Sequence, residues 1–283
     1  MIKKDILSVI VTSYNYENYI GQTLDSLVNQ TNTDFSIIVI DDGSKDNSVS
    51  IIKEYAKKYD SITFIQHENG QNKGLCETTK AALSYVNSEY VAFCESDDYW
   101  KEDHVEKLLN FLSKNDDVNL LFNEIEVKNY SSNSEYDGYV NYSNQKLKEF
   151  NGSNIFHVLT SNYMPTFSSA CIKTSLLKKC DFNSYYPQYL DFWLWRQLCL
   201  NNNIYFLDNC ITYWRKHDSS YDMKDNVRDL KKFLIASNDL IIKQIKTNIS
   251  TYEYLKIKIQ KYVLCSKKYL KYQMKKILKF RKS

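Results

Sequence analysis

Two short apolar runs in this chain end abruptly in carboxylates. Phe35-Ser36-Ile37-Ile38-Val39-Ile40 runs into Asp41-Asp42-Gly43-Ser44, and Tyr90-Val91-Ala92-Phe93-Cys94 runs into Glu95-Ser96-Asp97-Asp98-Tyr99-Trp100. An apolar run closed by a turn reads as a buried strand of a parallel sheet. Ligands of open α/β sheets bind just outside the carboxyl ends of such strands. The two acidic clusters are therefore expected side by side on the binding edge of one sheet. Neighbouring carboxylates repel unless a cation or a bound ligand takes up the charge. The second cluster points to a divalent metal on hard oxygen ligands, and a metal beside a phosphate site points to a nucleotide.

The elements that must position these groups are legible in the hydrophobic spacing. Ile6–Val11 reads as a first strand, followed by the loop Ser13-Tyr14-Asn15-Tyr16 and a helix over 17–29. Strands over 35–40, 62–65 and 90–94 alternate with helices over 47–59 and 78–86. This alternation indicates βαβ units and a parallel sheet, and right-handed crossovers put the strand-end loops on one edge. Beyond Trp100 the pattern predicts a helix over 102–113 and a strand over 118–127. It then predicts a polar surface loop over 129–144, a strand over 167–172, an aromatic helix over 190–200 and a strand over 211–215. From about residue 227 the chain reads as basic helix.

Composition bounds the class. At 283 residues, 43% apolar and 25% charged, the chain can bury one large α/β core. Six glycines and two prolines exclude long flexible linkers. Seven scattered cysteines contain no Cys-x-x-Cys, so neither a zinc site nor a disulfide framework is indicated, and a reducing compartment is expected. The apolar run after Asp5 is too short for a signal peptide, and no stretch reaches the length of a membrane span. The net charge of +3 implies no partner by itself, but beyond Lys243 the chain has many lysines and one acidic residue, Glu253. The tail from Lys267 to Lys282 mixes lysines with Leu, Ile, Met and Phe at helical spacing. Two readings stand equally: a helix lying on an anionic membrane surface, or one packed on the core with a solvated lysine face. No nucleic-acid motif accompanies the basic run, so nucleic acid is not an expected partner.

Five segments in this order resemble the family 2 glycosyltransferases, which have the GT-A fold. They are Ser13-Tyr14-Asn15, Asp41-Asp42-Gly43-Ser44, Glu95-Ser96-Asp97-Asp98, Asp191-Phe192-Trp193-Leu194-Trp195-Arg196 and Tyr213-Trp214-Arg215-Lys216-His217-Asp218-Ser219-Ser220. The resemblance covers roughly residues 5–220. It implies an α/β, mostly parallel sheet flanked by helices, with a Rossmann-like nucleotide-binding half over 1–100 and an acceptor half over 101–220. A basic helical extension over 221–283 follows.

The resemblance also implies roles. Asp41 or Asp42 contacts the nucleobase, the alternative being a cap or turn closure. Thr12, Tyr14 and Ser96 belong to the nucleotide site. Glu95, which replaces the family's usual Asp, is a ribose partner or a support for the metal ligand. Asp97, with His217, holds Mn²⁺ or Mg²⁺. Asp98 ligates the metal or shapes the loop toward the acceptor, and Trp100 and Arg215 join it in contacting acceptor or phosphate. Asp191 is the general base, the alternative being a helix N-cap. The family's arginine after the Gly-Leu pair is replaced by Thr79, with Lys80 next to it, and Lys does not reproduce a planar guanidinium fork.

The implied reaction is inverting transfer from a nucleotide sugar, a UDP-sugar by analogy, to a hydroxyl of a glycan or lipid-linked glycan. The implied setting is bacterial surface polysaccharide synthesis, by a cytoplasmic enzyme able to sit on the inner face of the membrane. Two rivals stand beside it. One is a sugar nucleotidyltransferase, which needs a Gly-rich basic loop after the first strand. The other is a non-catalytic glycan-binding or scaffold protein on the same fold.

Overall fold

The computed structural model describes residues 6–129, 135–154, 162–164, 166–183, 187–217, 232–233 and 236–237. Strand β1 (Leu7–Ser13) leads to α1 (Ile20–Val28), β2 (Phe35–Asp41), α2 (Ser48–Lys58), β3 (Ile62–Gln66), α3 (Leu75–Ser84) and β4 (Tyr90–Phe93). The short strand β5 (Tyr99–Trp100) follows, then α4 (His104–Leu112), β6 (Leu120–Asn129), α5 (Glu135–Glu149), β7 (Ala170–Lys173) and α6 (Thr174–Leu177). Helix α7 (Leu190–Leu198) and β8 (Tyr205–Lys216) complete the described elements. One eight-stranded sheet has the order β3-β2-β1-β4-β7-β6-β8-β5.

The sheet has two characters. β1 pairs in parallel with β2 and β4, and β2 with β3. This half is the expected doubly wound unit. β7 then runs antiparallel to both β4 and β6, β6 and β8 are parallel, and β5 is antiparallel to β8. The predicted mostly parallel sheet thus becomes mixed beyond β4.

Alternation along the strands divides the core between two faces. Val9, Val11, Ile37 and Val39 pack with Leu24 of α1, Ile52 of α2 and Val105 of α4. Ile10, Ile38 and Ile40 face the other way, toward Ala82 of α3 and Phe192 and Trp195 of α7. Helices on both faces bury both sides of β1, which is why its sequence is an almost unbroken apolar run. The register Ser13↔Asp41 sets the loop after β1 beside the first acidic turn, and Ile10↔Phe93 sets the second turn next along the edge.

Four expectations change. Residues 135–149, read within and beyond a polar loop, form α5. Its inward positions Val140, Ser143 and Leu147 lie one and two turns apart and are almost completely buried. One of the three is a serine, so an apolar count misses the stripe. Helix α3 starts at Leu75, because Gly74, at φ 81°, turns the chain into it. The strand expected from Phe167 is a 3₁₀ turn over Phe167–Ser169, and β7 begins at Ala170. β8 starts at Tyr205, six residues ahead of the expected 211.

The tail at 267–282 lies outside the described residues. The described part of the extension is helical at 232–233 and 236–237, and the Phe233 ring lies 5.0 Å from Tyr189 and 5.6 Å from Phe192. Among the described residues no helix is long and apolar enough to cross a membrane.

Candidate active site

The turn after β4 is held from three directions. Thr23 of α1 donates its hydroxyl to the carbonyls of Ser96 and Asp98, at 2.9 and 2.7 Å. Asp98 Oδ1 accepts from the backbone N–H of Arg215 at 3.0 Å. Thr166, ahead of β7, presents its hydroxyl to Asp98 Oδ2 at 2.9 Å and to Glu95 Oε2 at 2.7 Å. The Glu95 N–H donates to Ser168 Oγ. Thr166 has one hydroxyl proton for two carboxylates. Burial, reinforced by the charge of Asp97, pushes Asp98 up to about 7. Burial and the charges of Asp98 and Asp97 raise Glu95 well above the usual carboxylate range.

Asp97 is partly exposed, with 17% of its side chain accessible. Its Oδ2 lies 3.3 Å from His217 Nε2. The His217 ring stacks on Tyr19 at 4.0 Å between centroids, with Tyr16 edge-on at 6.0 Å. β8 delivers this histidine: its pairing with β6 and β5 carries the chain past the turn to residue 217. The structure therefore brings together the two residues expected to hold a metal. Ligands bound side by side to one hard cation at about 2.1 Å stand about 3 Å apart, and the Asp97–His217 spacing fits that arrangement. Among the described residues no group of three His, Cys, Asp or Glu side chains forms a ready metal site.

Three of the residues expected to make contacts are packed inside the protein. Asp98 is almost fully buried and ties Thr166 to β8, which is its loop-shaping alternative. Trp100 is buried, stacks on His104 at 4.0 Å and donates its indole N–H to the Ser168 carbonyl, so it belongs to the core. Arg215 is buried with its guanidinium 5.1 Å from the rings of both Tyr19 and Tyr99, and Nη1 donates to Gln22 Oε1. Each makes these contacts within the protein, while the Arg215 Nε is buried without a partner among the described residues. Glu95 likewise supports the turn through Thr166.

The first acidic turn is more completely closed. Asp41 Oδ1 accepts from the N–H groups of Gly43 and Ser44, and Oδ2 from the Ser44 hydroxyl. Asp42 accepts from the N–H groups of Lys73 and Gly74 and from the Thr78 hydroxyl, with His67 Nε2 3.5 Å away. Both carboxylates are buried. Both carboxylates close turns here, which is the alternative to base contact given above. Gly43, at φ +81°, has no room for a side chain: a Cβ there would sit 2.6 Å from the Gly70 carbonyl oxygen.

The loop after β1 is stitched to the same turn. Asn15 N donates to Ser44 Oγ, Tyr16 N to Ser48 Oγ and Glu17 N to an Asp46 carboxylate oxygen. Tyr14 remains 44% exposed at this edge. Thr12 is half-buried on β1 opposite Ile40, and Ser96 is buried with its hydroxyl unpartnered among the described residues. Thr79, standing where the family has arginine, is buried and donates to the Leu75 carbonyl. Lys80 and Lys73 are exposed.

Asp191 comes from the other side of the sheet edge. It lies in the first turn of α7, whose N-cap is Tyr189, so the capping alternative does not describe it. It is half-buried, its Oδ1 accepts from the Phe192 N–H at 2.6 Å, and its Oδ2 accepts from Asn162 Nδ2 at 2.9 Å. Burial pushes its carboxyl up to about 6, against the opposing pull of those two hydrogen bonds. Its charge also contributes to the raised Glu95, so Asp191 lies within electrostatic reach of the acidic turn. Thr23, Asn162, Thr166 and Ser168 carry no signal as isolated residues in the sequence; each matters through a partner on another element.

A parallel nucleotide-type half-sheet joined to a mixed half, with carboxylates at the junction, defines a GT-A protein. The chain matches the family model described as Glycosyl transferase family 2 over residues 8–174, and it belongs to that family. Glycosyltransferase GlyA of Streptococcus pneumoniae serotype 4 is 36% identical over 138 residues, covering 49% of this chain and 18% of GlyA. The chain thus spans under a fifth of that relative. The crystal structure of S. aureus TarS 1-349 in complex with UDP-GlcNAc superimposes with a TM-score of 0.68 at 21% identity, over 91% of this chain and 72% of that one. The mannosyltransferase PcManGT from Pyrobaculum calidifontis, in complex with GDP-Man and Mn2+, gives 0.63 at 15% identity, over 93% and 70%. These two likenesses bear on the fold.

Proposed function

We propose that the protein transfers a sugar from a UDP-sugar to a hydroxyl of a glycan or lipid-linked glycan, with inversion at the anomeric carbon. The observation that carries this reading is the Asp191 carboxylate, held at both oxygens by Phe192 N–H and Asn162 Nδ2, raised to about 6 by burial and within electrostatic reach of Glu95 in the turn bearing Asp97. A carboxylate raised this far remains ionised at neutral pH and accepts a proton more readily than an ordinary aspartate. Asp191 would take the acceptor hydroxyl's proton as its oxygen bonds to the anomeric carbon and the bond to the diphosphate breaks. Asp97 and His217 would hold Mn²⁺ or Mg²⁺, leaving the other ligand positions to diphosphate oxygens and water. The cation would neutralise charge growing on the leaving diphosphate. Exposed Tyr14, at the mouth of the first two loops, offers a ring face to the base. The UDP preference is supported by the fold shared with a protein crystallised with UDP-GlcNAc.

The test is thermal stability with UDP, GDP, CDP and dTDP, each with and without Mn²⁺. A ligand that binds the folded state raises the melting midpoint by linkage. The expected result is a Mn²⁺-dependent rise with UDP that Asp97→Ala removes. No rise with any nucleotide would overturn the donor reading and favour a glycan-binding protein.

A further inference from the structure

Asn162 lies in a segment where the family pattern offers no guidance, yet both ends of its side-chain amide and its backbone carbonyl are engaged. Its Oδ1 accepts from the Met164 N–H at 3.1 Å, closing a local turn. Its backbone carbonyl accepts from the Tyr139 hydroxyl of α5. With Oδ1 committed to a donor, the side-chain amide can present only its NH₂ elsewhere. That NH₂ reaches Asp191 Oδ2 at 2.9 Å. The other oxygen, Oδ1, is taken by the Phe192 N–H. Asp191 is therefore gripped at both oxygens, from its own helix and from the segment ahead of β7.

We propose that Asn162 is a positioning residue, orienting the Asp191 carboxylate for proton abstraction through the Nδ2–Oδ2 hydrogen bond, with α5 bracing it through Tyr139. The proposal rests on Asp191 being the base. One carboxylate held in plane by two donors keeps its remaining lone pairs aimed in fixed directions, so less reorganisation precedes proton transfer. A hydrogen bond to the charged form also favours that form. The Asn162 bond opposes the burial that raises Asp191. The titratable groups facing Asp191 are Glu95 from the turn after β4 and Tyr139 from α5. Glu95 is held by Thr166, and burial together with the charge of Asp191 raises the Tyr139 hydroxyl above its ordinary range. Neither group donates to Asp191 among the described contacts. Among the described residues Asn162 is thus the side-chain donor that, beside the Phe192 N–H, favours ionisation of this carboxylate against its burial.

The experiment is the pH dependence of kcat for the wild-type chain, Asn162→Ala and Asn162→Asp, with Asp191→Asn as reference and melting midpoints measured in parallel. Asn162→Asp keeps an oxygen for the Met164 N–H, so the local turn survives while the donor is lost. The wild-type acid limb is expected near pH 6, following Asp191. In Asn162→Ala the limb moves up by about one pH unit, the size of one lost charged hydrogen bond. In Asn162→Asp it moves further, because a second carboxylate then shares the site. A lower kcat in either folded variant with the limb unmoved would reduce Asn162 to a structural residue and overturn the proposal. Asp191→Asn with full turnover would instead remove the base itself, separating failure of the underlying reading from failure of this one.

Discussion

The two acidic turns stand at neighbouring strand ends, and each is built from an apolar strand, two adjacent aspartates and a following turn. Their environments differ. After β2, six backbone or hydroxyl donors of the 43–44 and 73–78 segments converge on Asp41 and Asp42. The charge of these carboxylates is met by hydrogen bonds, and the turn becomes a clasp for two loops. After β4, Glu95 and Asp98 compete for one hydroxyl, both are raised, and Asp97 faces His217 at the opening. The second turn has fewer donors for its carboxylates, so Glu95 and Asp98 hold their protons to higher pH, and a bound cation would favour the ionised forms. The lesson is that a carboxylate's role follows from how many donors the fold brings to it, and the residue type alone does not decide it.

The comparison can be broken most forcefully at the base facing the second turn. Asp191→Asn should lower kcat by roughly 10²–10⁴, the range for losing a general base, with the melting midpoint nearly unchanged. Steady-state turnover of a UDP-sugar donor measures it, and retained activity would reject the assignment.

Asp42→Ala should do the reverse. It removes the acceptor of the Lys73 and Gly74 N–H groups in a part-buried place and leaves the buried Thr78 hydroxyl with His67 Nε2 alone. At about 1–3 kcal/mol for an orphaned donor, partly relieved by water, a loss of about 3 kcal/mol is expected from denaturant unfolding. Asp97→Ala should cost little stability and remove the Mn²⁺-dependent nucleotide response. If both variants melted alike, the contrast between clasp and cation turn would fail.

Gly43→Ala probes the clasp from the backbone side. A side chain at φ +81°, with its Cβ 2.6 Å from the Gly70 oxygen, is strained twice. A destabilisation of about 1–3 kcal/mol is expected. An unchanged denaturation midpoint would mean the two loops are not clasped here.

The smallest effect is expected at Asp98. Its folded value of about 7 lies above its ordinary 3.8, so folding favours the protonated form. That contribution is full below about pH 4 and is lost as pH rises through about 7. Asn mimics the protonated acid: its oxygen can accept from Arg215 N and its amide can donate to Thr166 Oγ1. Asp98→Asn should therefore melt no lower than wild type at pH 8 and show a flatter pH dependence between 5 and 8. A lower midpoint at pH 8 would mean the ionised carboxylate is favoured by this fold.

Much of the first hundred residues was readable before any coordinates. β1, β2, β3, β4 and the helices between them follow from local hydrophobic spacing, with ends shifted by a few residues. Beyond β4 the reading weakens. α5 escaped because Ser143 occupies one of its fully buried positions, and β5, two residues long, has no periodicity to detect. At the site, Asp97 and His217 are legible as residue types and stand 3.3 Å apart, and Asp191 is within electrostatic reach of Glu95 in the same turn. Trp100, Arg215 and Asp98 carried the right residue types for contact, but burial turned them inward. Asn162 and Thr166 were invisible because an asparagine or threonine in a loop looks like any other.

The sequence by itself determined the family, the doubly wound half and the set of carboxylates available at its edge. These depend on residues close together in the chain: an apolar run, a turn, an acidic cluster. The tertiary structure decided which carboxylates are consumed and which stay available. The donors that decide it lie far along the chain: Lys73 for Asp42, Thr166 and Arg215 for Asp98, Asn162 for Asp191. A hydrogen bond is made where atoms meet within about 3 Å, and for partners this distant only the packed sheet and helices bring them there.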